Sequence, residues 1–175
     1  SEDLGIKKHT SMEAILIAAT RFQHSLKKEI KQEKNIQKLL GNSDMEIRNK
    51  ISVIILEKNL NFDHIVEIQK LARKEAGTFF LLEGSNNYTL ITQEKYVDLV
   101  NKHCKQSIVK ENKSLALINF KTSDEIEEAT GATSYITSLF AENGVNIIEL
   151  LSCWTDNVFV IKAKDVTKTM NFLKF

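Results

Sequence analysis

One order of elements, met twice, limits this fold more than any other feature. The first pass opens with KISVIIL, Lys50–Leu56, a β-branched run of strand length. Helical spacing follows at Phe62, Ile65, Val66, Ile68, Gln69 and Leu71, and Gly77 is placed to end that helix. TFFLL, a GSNN turn and YTLI, Thr78–Ile91, predict a strand, turn and strand. Glu94–His103 predicts a second helix, and Ser107–Lys110 a short fourth strand. The second pass repeats this order: strand at Leu115–Phe120, helix over about 129–142, strand at Asn146–Cys153, turn at 155–157, strand at Val158–Ile161, helix at Val166–Leu173. Gly77 and Gly144, 67 positions apart, are expected to play the same helix-ending part.

Ahead of the repeat, Thr10-Ser11-Met12-Glu13 has the spacing of a capping box, and apolar residues from Met12 to Ile30 recur at steps of three and four. A long amphipathic helix is predicted, reaching about Leu40 and stopped by Gly41-Asn42-Ser43. Its outer lysines, Lys27, Lys28, Lys31, Lys34 and Lys38, read as a solvated face. The fold class is therefore α+β: a long N-terminal helix, then tandem ferredoxin-like (βαββαβ) units with antiparallel sheets. The division is 1–42 helical segment, 43–112 first unit and 113–175 second unit. The second unit stops before a last strand, so its open edge needs cover from Ser107–Lys110, the neighbouring repeat or another chain.

Charge and motifs exclude several functions. With 24 basic and 23 acidic side chains the net charge is +1, which supplies no global field for nucleic acid, although residues 1–40 carry a slight basic surplus. No run approaches the roughly 18 apolar residues of a membrane span, and the expected setting is cytoplasmic. Cys104 and Cys153 show no metal-finger or disulfide pattern and are expected as small buried apolar residues. Neither phosphate-loop, dinucleotide, zinc-protease nor serine-hydrolase motifs occur, and His9, His24, His64 and His103 are scattered. No catalytic residues, cofactor or metal are expected. Phe79, Phe80, Tyr88 and Trp154 lack the basic and aromatic run of an RNA-binding sheet, and core or interface roles are expected for them.

The second unit holds the most informative stretch, ATGATSYITSLFAENGVNI, Ala129–Ile147. With the strand ending at Phe120 and the strand pair flanking Asp156-Asn157, it resembles an ACT domain, the small amino-acid-binding module of aspartokinases and related regulators. Lys50–Lys110 resembles a degenerate copy whose corresponding loop, Lys58–Asp63, lacks a glycine and is expected to be structural. The whole chain resembles archaeal regulators of amino-acid metabolism in which an ACT region follows a winged-helix DNA-binding segment. Only the tail of such a segment would fit within residues 1–22, so DNA contact would run through a part mostly absent here.

The resemblance implies a non-enzymatic regulator that binds a small amino acid, associates as a homodimer and has no membrane partner. It also implies a ligand lying between the loop and the start of the following strand, often across a dimer contact. The implicated residues are Ala129, Thr130, Gly131, Ala132, Thr133, Asn146 and Ile147. At a helix N-terminus the free N–H groups suit a carboxylate, and a residue without Cβ admits it, which is the chemical reason for attention to Gly131. Glu127 and Glu128, adjacent in sequence, diverge too far to act as a catalytic pair. A structural or oligomerisation module without ligand, and the effector part of a transcriptional regulator, are the alternative readings.

Overall fold

The computed structural model of the chain describes residues 12–175. Thr10 and Ser11 of the expected capping box lie outside them. Helix α1, Met12–Gly41, is followed by strand β1, Asp44–Glu57, helix α2, Phe62–Lys74, and strands β2, Phe79–Glu83, and β3, Asn87–Gln93. Helix α3, Val97–Cys104, leads into strand β4, Ile108–Lys121. Helix α4, Ala132–Glu142, strands β5, Ile147–Cys153, and β6, Asp156–Lys162, and helix α5, Val166–Phe172, complete the chain.

All six strands join one antiparallel sheet in the order β2-β3-β1-β4-β6-β5. Two strands are twice as long as the sequence pattern indicates. The runs expected as separate strands at 107–110 and 115–120 are a single strand, β4, and β1 begins six residues before Lys50. Each long strand has an irregularity at its middle, where Lys50 and Ser114 adopt φ of 56° and 57°. A bulge of this kind bends the strand and raises its twist.

The two long strands cover each other's edges. The later part of β1 pairs with the start of β4, Ile54 with Glu111 and Leu56 with Ile108. The early part of β1 pairs with the end of β4, Asp44 with Lys121 and Ile47 with Ile118. The open edge expected of the second unit is thus covered from the neighbouring unit, by Asp44–Arg48, a stretch that precedes every strand read from the sequence. At its far end the cover is fastened by Glu46, whose carboxylate accepts from Arg48 Nε at 2.6 Å and lies 3.5 Å from Lys121 Nζ.

Three apolar clusters follow from this bend. Ile54, Leu56, Tyr88 and Leu90 pack against α2 and α3, while Ile118, Phe120, Phe159 and Ile161 pack against α4 with Ile36 and Leu40 of α1. The opposite sheet face carries Ile51, Val53, Ile91, Leu115, Leu117, Val158 and Val160, none more than 3% exposed. No helical residue belongs to that cluster. Burial this complete needs a covering layer, so the sheet supplies it, bending at Lys50 and Ser114 until its halves close over one shared interior.

Helices α2 and α4 end in the same way, with a one-residue difference from the expected spacing. Gly144 adopts φ 59° after α4, and the Val145 N–H donates to the Phe140 carbonyl at 2.9 Å. Its counterpart after α2 is Ala76, φ 50°, with the Gly77 N–H donating to Ala72 at 2.7 Å. Gly77 is a glycine for a different reason: a Cβ there would stand 2.6 Å from Tyr96 Oη.

Among the described residues, helix α1 is seated by its last part, where Ile36 and Leu40 are buried. Met12, Ile15, Leu16, Ile17, Phe22, Leu26 and Ile30 remain 40–73% exposed. Among the described residues, no helix is long and apolar enough to cross a membrane.

Candidate functional site

The segment Ala129–Thr133 forms the entry to α4, which starts at Ala132, three residues later than its apolar spacing suggests. Gly131 is the residue before the first helical position and holds φ 86°, ψ 1°. That left-handed backbone is the reason for glycine: an L residue there is strained, although a Cβ would meet nothing nearer than Gln32 Nε2 at 3.5 Å. The turn is closed by Thr130 N–H donating to Glu128 at 2.9 Å and Ala132 N–H donating to Ala129 at 3.0 Å. From α1, Gln32 Nε2 donates to the Thr130 carbonyl, and Gln37 Nε2 donates to Tyr135 Oη at 2.8 Å.

This geometry leaves the N–H groups of Gly131, Thr133 and Ser134 without an acceptor among the described residues. They are the orphan donors of a helix start and carry the positive end of its dipole. Beside them is a cleft of about 390 Å³ lined by Ile126, Glu127, Ala129, Gly131, Ala132, Thr133, Ser134, Ser152, Trp154 and Asn157. Its size falls within the roughly 300–1,000 Å³ of small-molecule sites.

Asn157 is the least expected member. It is 5% exposed, yet its Nδ2 has no hydrogen-bond partner, and its Oδ1 only receives Ser152 Oγ at 3.4 Å. Register explains its direction: Asn157 lies opposite Phe120 and Ser152, and Phe120 faces the helices. Asn119, whose Oδ1 is also unpaired, is one residue before Phe120 and faces the other way, so the two amides cannot satisfy each other. A buried donor left unpaired costs about 1–3 kcal/mol, which a bound acceptor would remove.

The turn after Cys153 closes the cleft. Trp154 is 68% exposed and adopts φ 53°, so it is not part of the core of this chain. The turn is pinned because Thr122 donates twice to the Thr155 carbonyl, from N–H at 2.9 Å and from Oγ1 at 3.0 Å. Cys153 is exposed, against expectation, whereas Cys104 is buried and burial pushes its thiol pKa up.

The other implicated residues do not reach this cleft. Thr130 lines a groove of about 730 Å³ against α1, together with Lys31, Gln32 and Ile36. Asn146 and Ile147 line a separate cleft of about 730 Å³ with Lys110, Lys113, Glu149, Lys162 and Lys164. They sit at the opposite end of β5, about 20 Å away at a strand's rise per residue. In that cleft burial raises the Glu149 carboxyl pKa. In the first half, the glycine-free loop ends at Asn61, whose Oδ1 accepts from Asp63 N–H at 3.0 Å and caps α2. The scattered histidines include one pair brought together, His64 and His103, with ring centroids 4.6 Å apart between α2 and α3. Among the described residues, no group of three or more His, Cys, Asp or Glu could hold a metal ion.

Sequence reasoning reached the loop but not its opposite wall. Ser152, Trp154 and Asn157 join the site through strand register, and the only advance signal was a tryptophan beside an Asp-Asn turn.

No protein-family model and no curated protein sequence matches the chain. Solved structures do match it in fold. The aspartate kinase of Clostridium acetobutylicum aligns with a TM-score of 0.59 and 16% identity over 74% of this chain. The chain spans only 33% of that enzyme's length. The regulatory subunit of aspartate kinase from Thermus thermophilus aligns with a TM-score of 0.56 and 7% identity, over 75% of this chain and 94% of that subunit. E. coli aspartokinase III, solved in complex with lysine and aspartate, aligns at 0.54 and 11% identity over 75% of this chain and 33% of its own.

Proposed function

We propose that this chain is a non-enzymatic regulatory module of the ACT type that binds a small α-amino acid at the start of α4, and that two such units stand in tandem. One observation carries the reading. The amides of Gly131, Thr133 and Ser134 and the buried Nδ2 of Asn157 are all donors without acceptors, and they converge on one cleft. That set suits a carboxylate, while Glu127, the one charged side chain lining the cleft, suits the ammonium of a zwitterion. The complex of E. coli aspartokinase III with lysine and aspartate supports an amino-acid ligand on a similar fold.

Asn146 and Ile147 enter through a second copy. Strand β5 is an edge of the sheet, with Leu150 41% exposed. Antiparallel pairing of β5 with its counterpart across a two-fold axis sets the Ile147 end of one copy beside the Cys153 end of the other. The partner residues then lie near Ser152 and Trp154 and complete the pocket. Ligand binding would bias this association, and α1 would pass the change to whatever precedes it, consistent with a regulator of amino-acid metabolism. Any DNA contact would belong to that preceding segment.

Calorimetry with the twenty amino acids is the direct test. A true ligand at a hundredfold excess over its Kd adds about 2.7 kcal/mol of stability. Asn157→Leu is expected to leave the unliganded protein as stable or more so, because it removes an orphan donor, and to weaken binding roughly tenfold. No response to any amino acid at millimolar levels discards the reading and leaves an oligomerisation module.

A further inference from the structure

We infer that Trp154 selects the side chain of the bound amino acid, and that the ligand is one with an apolar side chain. The inference rests on the amino-acid reading of the α4 cleft and goes beyond it by naming the ligand class. Trp154 is the only tryptophan in the chain, and its ring is 68% exposed while lining the cleft, so it is open to contact with a ligand there. Its backbone is held at φ 53°, a region that non-glycine residues rarely occupy and that clusters at ligand-handling positions. The two Thr122 hydrogen bonds to Thr155 hold the turn that presents the ring at the cleft.

The rest of the wall is built of small residues, the polar Thr133, Ser134 and Ser152 with Ala129 and Ala132, beside Ile126, leaving room that larger residues would fill. Charge decides between ligand classes. Glu127 is the single charged residue of the lining and is used by the ammonium. An acidic side chain would find no cation there, and a basic one would find no second carboxylate; either would be desolvated without a partner. An apolar side chain lying on the indole face incurs neither cost and gains its contact area.

The sole tryptophan is also the reporter. L-leucine, L-phenylalanine, L-alanine, L-lysine and L-aspartate are titrated into the intact protein, following Trp154 emission and, in parallel, heat. Leucine and phenylalanine are expected to change the emission saturably and to bind about tenfold tighter than the other three. In Trp154→Gly that preference should shrink to roughly threefold or less, with leucine and phenylalanine losing more affinity than alanine, while Trp154→Phe should retain it. Circular dichroism verifies that both variants are folded. Tightest binding by lysine or aspartate, or an equal loss for every ligand in Trp154→Gly, overturns this inference alone. Binding of no amino acid overturns it together with the function on which it rests. Emission that follows protein dilution and ignores ligand also overturns it, by assigning the ring to the contact between copies.

Discussion

Gly131, Ala76 and Trp154 share a backbone region, but only the first is a residue that occupies it freely. Gly131→Ala is expected to destabilise the fold by about 1–2 kcal/mol, the cost of a Cβ in the left-handed region, read as a lowered thermal midpoint. The loss should exceed that of any neighbouring exposed substitution such as Thr133→Ala. Gly131 was legible in the sequence because glycine punctuates structure where few glycines occur. Its torsion was not: beside the expected access for a ligand, φ 86° is itself a reason for glycine, and the open amides accompany it. Asn157 was illegible because an asparagine near a turn is ordinary. Only its register opposite Phe120 and Ser152 turns it toward the helices and makes its unpaired Nδ2 informative.

Among the elements, helices with strong apolar spacing were read nearly in place, as at Phe62–Lys74 and Val97–Cys104. The long strands were not, because Lys110–Ser114 is polar and Asp44–Arg48 is short and largely charged, and each owes its extension to the apolar part of the other strand: Lys110–Asn112 pairs with Val53–Ile55, and Asp44–Arg48 with Leu117–Lys121. A period of two does run through Met45 and Ile47, and it is the one signal that could have exposed the early part of β1. Strand β5 carries a pH-dependent element. Burial raises the Glu149 pKa above its ordinary 4.5, so the folded state disfavours the charged carboxylate. This side chain is least costly below its unfolded pKa and becomes destabilising as pH rises through the folded value. Glu149→Gln is therefore expected to raise the thermal midpoint at neutral pH, with the gain vanishing near pH 4; an equal gain at both pH values would contradict the burial argument.

At the scale of the molecule, the boundary drawn at 112/113 falls inside β4, and each half of the sheet borrows its fourth strand from the other. Fragments 12–106 and 107–175 are accordingly expected to be largely unfolded alone and to regain native circular dichroism when mixed, and the intact chain to unfold in a single transition. Two independently folded fragments would refute the exchange. The topology also gives α1 a mechanical standing that its sequence only hinted at. It is anchored near one end by Gln32 on the Thr130 carbonyl and Gln37 on Tyr135, one residue pair at each side of the loop that opens the cleft. From Gln32 to Met12 the helix extends about 30 Å, so a tilt of about 5° at that pivot sweeps the Met12 end through roughly 2.6 Å. On the proposed reading, a lever of this length would turn a sub-ångström adjustment around one small molecule into a displacement of a few ångströms at Met12.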